Sequence, residues 1–130
     1  MDTRVLVIND EPDLLEACAM ILESEGYVVE TLARGSESAQ RVTHFRPDLV
    51  LLDWVMSDTT GDVVLSELRT QFGANLPIVV MSALPGLRSL ALELGADDFM
   101  QKPFDDVRLL SIVAQNLRNG SSRGATRATS

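Results

Sequence analysis

Five short apolar runs alternate with amphipathic helical patterns along the chain, and this alternation limits the possible folds more than any other feature. In the helical stretches, apolar residues recur at three- and four-residue steps, as they do in Leu87, Leu90, Ala91 and Leu94. Continuous apolar strands separated by such helices predict a parallel sheet that is covered by helices on both faces. The predicted strands are residues 4–9, 27–32, 48–53, 77–82 and 98–101.

The predicted fold class is α/β, a doubly wound five-stranded parallel sheet in a flavodoxin-like (βα)5 sandwich. In such folds the ligand site lies at the carboxyl ends of the strands, near the point where the strand order reverses. A strand order of 2-1-3-4-5 would place the ends of the first, third and fourth strands side by side. The second run, Tyr27 to Leu32, is followed by Ala33, which has no reactive group, as expected for an edge strand.

Glycines and one carboxylate mark the predicted helix boundaries. Gly26, Gly73 and Gly95 follow the first, third and fourth helical patterns, where a left-handed residue commonly ends a helix. Asp105 is placed to cap the amino terminus of the last helix. These signals agree with the lengths that the apolar patterns give.

The chain of 130 residues suits one domain with its own core, which we place at residues 1–118. Residues 119–130 lack apolar periodicity and are predicted to form a flexible tail or linker. No apolar run has the length of a membrane span, and none resembles a secretory signal. Cys18 is the only cysteine, so no internal disulfide can form, and a cytoplasmic location is expected.

The net charge of −8 is unevenly distributed. Up to Asp106 the chain has 7 basic and 19 acidic residues, a net charge of −12, and the remainder carries +4. An acidic body argues against direct contact with nucleic acid and favours a bound cation such as Mg²⁺. Lys102 is the only lysine, and the other basic residues are arginines.

Polar residues stand where four of the apolar runs end: Asp10, Asp53, Ser82 and Lys102. Two neighbouring carboxylates repel each other, and a bound cation relieves that repulsion. Oxygen ligands without histidine or cysteine suit Mg²⁺. A cation and an ammonium group beside a carboxylate could neutralise a phosphoryl group while Asp53 attacks it.

Each of these residues also has a simpler interpretation. A strand can end in aspartate only to begin a turn, and Ser82 can be a small turn residue. Phe99 can be an ordinary core residue, and Glu11 can be a carboxylate that favours a helix start. The functional interpretation depends on several such residues occurring at equivalent strand ends.

The combined motifs resemble the receiver domain of response regulators in two-component signalling. The resemblance spans residues 4–117, and the order 2-1-3-4-5 is itself a known property of this family. The motifs that carry it are Asn9-Asp10-Glu11-Pro12, Asp53, Gly61 eight residues later, Ser82-Ala83, Gly95-Ala96-Asp97-Asp98 and Lys102-Pro103-Phe104.

The resemblance implies that Asp53 accepts a phosphoryl group in a phosphorelay. The donor would be a phosphohistidine on a sensor histidine kinase or a histidine phosphotransfer protein. Mg²⁺ would be bound by Asp10, Asp53 and the backbone carbonyl of Val55, with Asn9 holding it through a water molecule. The domain would be a switch that assists only its own phosphorylation and dephosphorylation, not an enzyme with outside substrates.

The same resemblance implies roles on the neighbouring strands. Lys102 would contact the phosphoryl group, and the Lys102–Pro103 peptide bond would be cis. Ser82 would be the switch hydroxyl, and Phe99 would occupy the position of the aromatic switch residue. The output domain or effector protein is not identified by these residues.

Three positions depart from the family pattern. Asn9 stands where the family usually has the first of two aspartates, so we expect weaker Mg²⁺ binding. Ser57 replaces a proline in the loop after Asp53, and a less rigid loop is expected. The segment from Ser82 to Lys102 is about two residues shorter than usual and has an apolar entry to the fourth helix.

Three rival functions follow from the same residues. The first is a pseudo-receiver, a protein-interaction scaffold that is not phosphorylated. A flavodoxin-type cofactor site is disfavoured because the loop Asn9-Asp10-Glu11 would repel a phosphate. A phosphatase with a nucleophilic aspartate on the first strand would need an Asp-x-Asp motif, which this loop lacks.

Overall fold

The chain folds into five parallel strands that alternate with five α-helices, as the sequence predicts. The computed structural model describes the backbone of residues 2–129 and the side chains of residues 2–120. Each strand end lies within one residue of its predicted position. The elements are β1 (Arg4–Ile8), α1 (Pro12–Ser24), β2 (Val28–Leu32), a 3-10 turn (Gly35–Glu37), α2 (Ser38–Phe45), β3 (Leu49–Asp53), α3 (Gly61–Phe72), β4 (Ile78–Ser82), α4 (Leu87–Glu93), β5 (Asp98–Gln101) and α5 (Asp106–Thr129).

The strand order is β2-β1-β3-β4-β5, which confirms the predicted topology. All four strand pairs are parallel, with Val5 opposite Leu49 and Val50 opposite Ile78. Every residue of β3 and β4 is buried, as expected for central strands of a sheet covered on both faces. The carboxyl ends of β1, β3, β4 and β5 therefore share one edge.

Alternate strand residues enter two separate cores. Leu52 and Val80 pack with α2, α3 and α4 on one face of the sheet. Leu51 and Met81 pack with α1 and α5 on the other face. Each such side chain, when fully buried, contributes about 1.5–3 kcal/mol to the hydrophobic driving force.

The predicted helix boundaries are confirmed at four positions. Gly26, Gly73 and Gly95 have positive φ angles of 90°, 79° and 114°. The carboxylate of Asp105 accepts a hydrogen bond of 2.8 Å from the backbone N–H of Arg108 and so caps α5.

Helix α4 differs from its predicted packing. Leu87 and Ala91 are buried, whereas Leu90 and Leu94 of the predicted apolar stripe are exposed. The helix is short and reaches the sheet along one i, i+4 row, so its other apolar residues face outward.

The last helix continues past the predicted domain boundary at residue 118. The side chains of residues 121–130 lie outside the described part of the chain, so the tail or linker at residues 119–130 stays a prediction. Within the described residues, no helix is both long and apolar enough to cross a membrane.

A guanidinium group holds the amino-terminal edge of the sheet together. Arg69 of α3 donates hydrogen bonds of 2.8 Å to the carbonyl of Gly95 and 2.6 Å to the carbonyl of Leu76. It also forms an ion pair of 2.7 Å with Asp97, whose carboxylate accepts the backbone N–H of Ile78 at 2.8 Å. Arg69 thus joins α3 to the starts of β4 and β5.

We predict that Arg69→Ala lowers the free energy of unfolding by about 3 kcal/mol, because it removes the ion pair of a mostly buried carboxylate and the hydrogen bonds to two backbone carbonyls. The free energy of unfolding of Arg69→Lys should lie between those of Arg69→Ala and the wild type. Lysine keeps the positive charge but lacks the planar set of N–H donors of the guanidinium group. Arg41→Ala is the control, since its ion pair with Glu30 is 36% and 41% exposed and should contribute less than about 1 kcal/mol. Urea denaturation measures all three, and equal losses for Arg69→Ala and Arg41→Ala would contradict the prediction.

A second carboxylate joins the loop after β3 to the 3-10 turn. Asp58 accepts hydrogen bonds of 3.2 Å from the N–H of Gly35 and 2.9 Å from the N–H of Ser36. A Cβ at Gly35 would lie 2.6 Å from Cγ2 of Thr59, so a larger residue there would require the side chains of the loop after β3 to shift. The bond from Ser36 is the main cause that lowers the pKa of Asp58 below its ordinary value of 3.8.

This contact predicts a pH-dependent contribution to stability. Because the folded pKa of Asp58 is lowered, its stabilising effect is present above pH 3.8 and is lost as the pH falls through the folded pKa. The wild type should therefore melt at a higher temperature than Asp58→Ala at pH 7, and this difference should shrink below pH 3.8. Calorimetry across this range tests the prediction, and a difference that is constant with pH would contradict it.

Candidate functional site

The predicted site residues meet at the carboxyl edge of the sheet. Asp53 and Ser82 end β3 and β4, Asn9 and Asp10 follow β1, and Lys102 follows β5. Because these strands are parallel neighbours, the topology brings their ends to one place. Four separate segments thus bring together one ammonium group, one hydroxyl and several carboxylate and amide oxygens.

Asp53 and Lys102 form the central ion pair of this edge. The Nζ atom of Lys102 lies 3.0 Å from Oδ1 of Asp53. Asp53 is only 2% exposed. Burial raises the pKa of the Asp53 carboxyl above its ordinary value of 3.8, and the hydrogen bond and charge of Lys102 oppose that rise. Lys102 therefore favours the ionised form of this poorly hydrated carboxyl group.

Lys102 also contacts the loop after β1. Its Nζ atom lies 3.3 Å from Oε1 of Glu11, a mostly exposed side chain. The charge of Glu11 contributes a further, smaller rise to the pKa of Asp53. Glu11 occupies the N-cap position of α1 without a capping hydrogen bond from its side chain, so its polar contact is with Lys102 rather than with the helix start.

Asp10 joins two loops rather than standing free. Its Oδ2 atom accepts a hydrogen bond of 2.6 Å from the backbone N–H of Ser57, in the loop after β3. A charge-assisted bond of this length is among the stronger ones in proteins. Sequence reasoning missed this contact, because a backbone donor gives no signal in a side-chain pattern.

Asn9 is completely buried at the end of β1. Its Oδ1 atom accepts a hydrogen bond of 2.9 Å from the backbone N–H of Glu11. Its Nδ2 atom is buried and has no hydrogen-bond partner among the described residues. Turning the amide round would place two donors against each other, so the N–H of Glu11 fixes this orientation.

Gly61 is required by the close approach of α3 to the end of β3. Its N–H donates a hydrogen bond of 2.7 Å to the carbonyl of Trp54. A Cβ at this position would lie 2.7 Å from the Cα of Trp54, which is backbone that cannot move aside. Between these residues, Val55 and Thr60 form an antiparallel bridge. The loop that carries Val55 is thus closed at both ends.

The predicted switch residues lie in their expected places. Ser82 is buried, and its Oγ atom accepts a hydrogen bond of 3.0 Å from the N–H of Leu84. Phe99 is buried in the core beneath α4. The Lys102–Pro103 peptide bond is cis, the isomer that the resemblance implies.

The donor set at this edge fits a hard divalent cation. Asp10 and Asp53 carry carboxylates at this edge, and the third ligand that the resemblance implies is the backbone carbonyl of Val55 in the loop after β3. Among the described residues there is no cluster of three or more histidine, cysteine or acidic side chains that could enclose a metal. Mg²⁺ needs only one or two protein carboxylates and retains several waters, so this small set of oxygen ligands suits it.

Solved structures of other proteins share this fold. NtrX from Brucella abortus, crystallised with ADP, superposes with a TM-score of 0.92 at 28% identity, over 100% of this chain and 30% of that one. The BeF3-activated N-terminal receiver domain of RstA from Klebsiella pneumoniae superposes with a TM-score of 0.82 at 28% identity, over 89% of this chain and 99% of that one.

Curated relatives point to the same class. The DNA-binding response regulator MtrA of Mycolicibacterium smegmatis is 37% identical over 130 residues, which cover 96% of this chain and 56% of MtrA. The chain thus spans about half the length of the curated relatives it matches. The family model of the response regulator receiver domain matches residues 5–114. These matches, on the fold and strand ends described above, show that the chain belongs to the response regulator receiver domain family.

Proposed function

We propose that this receiver domain is a phosphorylatable switch in a two-component phosphorelay. Asp53 would accept a phosphoryl group from a phosphohistidine on a sensor histidine kinase or a histidine phosphotransfer protein. The observation that carries the proposal is the buried carboxylate of Asp53, 3.0 Å from the ammonium group of Lys102. In this reaction a carboxylate oxygen bonds to phosphorus, the phosphorus–nitrogen bond breaks, and the imidazole nitrogen recovers a proton from solvent.

The residues of the chain would divide the work by charge. Asp53 must be ionised to attack, and Lys102 favours that state and can then contact the phosphoryl oxygens. Mg²⁺ would be held by Asp10, Asp53 and the carbonyl of Val55, and when bound it supplies positive charge beside the transferring group. Asn9 would contribute at most through a water molecule.

The response would travel along β4 and β5. The hydroxyl of Ser82 now accepts the N–H of Leu84, and a phosphoryl group would offer it a new acceptor. Its movement would leave room for Phe99 to repack beneath α4. A chemical change at Asp53 would thereby bias two arrangements of the partner surface.

The output would come from a separate partner or domain. MtrA is named a DNA-binding response regulator, and this chain covers 56% of it. We infer that nucleic acid is not contacted by the acidic receiver itself, and that the domain acts in the cytoplasm without a membrane contact. It would act as a switch and not as an enzyme with outside substrates.

A second candidate is the unphosphorylated scaffold. The observation that favours it is the closed acidic edge, in which Asp10 is bonded to Ser57 and Asn9 adds no negative charge. The pairing of Asp53 with the only lysine of the chain favours the switch instead.

The phosphoacceptor role predicts a specific adduct. Incubation with Mg²⁺ and acetyl phosphate should add one phosphoryl group to the wild type, measured as intact mass and removed by hydroxylamine. Asp53→Asn should add none, because an amide is not a nucleophile. Asp62→Asn, which changes an exposed carboxylate nearby, should behave as the wild type. If no donor gives an adduct and beryllofluoride does not bind, the phosphoacceptor role is wrong.

The ion pair predicts a separate effect on rate. Lys102→Ala removes the charge that opposes the raised pKa of Asp53 and that would contact the phosphoryl group, so phosphorylation should slow by at least about tenfold. Lys102→Arg keeps the charge and should lose less. Initial rates at saturating Mg²⁺ measure both, and an unchanged rate in Lys102→Ala would contradict the assigned role.

A further inference from the structure

The acidic edge is already closed by contacts that involve no cation. The loop after β1 reaches the loop after β3 through the 2.6 Å bond from the N–H of Ser57 to Oδ2 of Asp10. It reaches the end of β5 through Lys102, which contacts both Glu11 and Asp53. Each contact places a positive charge or an N–H donor where a bound cation would otherwise balance the carboxylates.

Two residues limit what this edge offers a cation. Ser57 provides the backbone N–H, which a proline at the same position would lack. Asn9 keeps one oxygen for the N–H of Glu11 without adding a negative charge beside Asp10 and Asp53. Its buried Nδ2 atom has no hydrogen-bond partner in the part of the chain that the structure describes, and it is a donor, which cannot bind a cation.

We propose that Asn9 and Ser57 together form a latch that closes the acidic edge without a cation and thereby lowers the affinity of the site for divalent cations. An aspartate at position 9 would still accept the N–H of Glu11 and would place an anionic oxygen where Nδ2 now lies. The proposal rests on the cation site of the proposed function. It adds that metal occupancy, and with it phosphorylation, depends on the free cation concentration through these two residues.

Cation affinity is the first test. Mg²⁺ titrations, followed by calorimetry and by the rise in melting temperature, should give a dissociation constant at least about tenfold lower for Asn9→Asp than for the wild type. Asn75→Asp is the matched control, because it adds the same charge at an exposed position on the opposite edge of the sheet, and it should bind as the wild type does. Equal affinities for Asn9→Asp and the wild type would overturn the role of Asn9.

The role of Ser57 is tested in the same titration. Ser57→Pro removes the N–H and should bind Mg²⁺ severalfold more tightly than the wild type. Ser57→Ala retains the backbone N–H and loses only the hydroxyl, so its affinity for Mg²⁺ should equal that of the wild type. An unchanged affinity in Ser57→Pro would show that its backbone bond does not limit cation binding.

A measurement of amide exchange tests the bond between Ser57 and Asp10 without any cation present. Without cations, the amide proton of Ser57 should exchange slowly, and Asp10→Ala should make it exchange at least about tenfold faster. Equal exchange rates would overturn the latch. Phosphorylation of Asp53 at saturating Mg²⁺ remains a separate result, so an intact phosphoacceptor with no latch is distinguishable from a domain that is never phosphorylated.

Discussion

Complete burial of the central strands is the constraint on which the rest of the structure depends. All five residues of β3 and all five of β4 are buried, so neither strand can shift in register without exposing apolar side chains. The parallel pairing then decides which residues meet at the carboxyl edge. Asp53 is positioned as the last member of a fully buried strand, not by contacts of its own loop. The chemistry of the edge can therefore vary while the position of its carboxylate stays fixed.

The strands could be predicted from apolar periodicity, whereas their order was implied by the resemblance to the receiver family. Given that order, Asp53 and Lys102 were expected at the same edge of the sheet, where the structure pairs them. The sequence did not allow the bond between Ser57 and Asp10 to be predicted, because the donor is a backbone group whose direction depends on the loop. The contacts of Arg69 were missed for the same reason, since most of its acceptors are carbonyls. Exposure of Leu90 was also missed, because periodicity does not show how many rows of a short helix reach the sheet.

The two edges of the sheet use cations in different ways. At the amino-terminal edge, the planar guanidinium of Arg69 is committed to carbonyls and one carboxylate in fixed directions. At the carboxyl edge, the ammonium group of Lys102 is shared between Asp53 and Glu11. The ammonium group of a lysine, on its flexible side chain, can change partners at low cost. A guanidinium group that donates several hydrogen bonds in fixed directions cannot. The molecule thus has one edge suited to stability and one suited to change.

The closed loop between Trp54 and Gly61 has a mechanical consequence. Its ends are held by the bond from Gly61 to Trp54 and by the bridge between Val55 and Thr60, so displacement is confined to residues 56–59. Asp58 lies in that short span and accepts two backbone hydrogen bonds from the 3-10 turn before α2. The span therefore connects the loop beside Asp10 to the 3-10 turn before α2, because Ser57 donates to Asp10 and Asp58 accepts from Gly35 and Ser36.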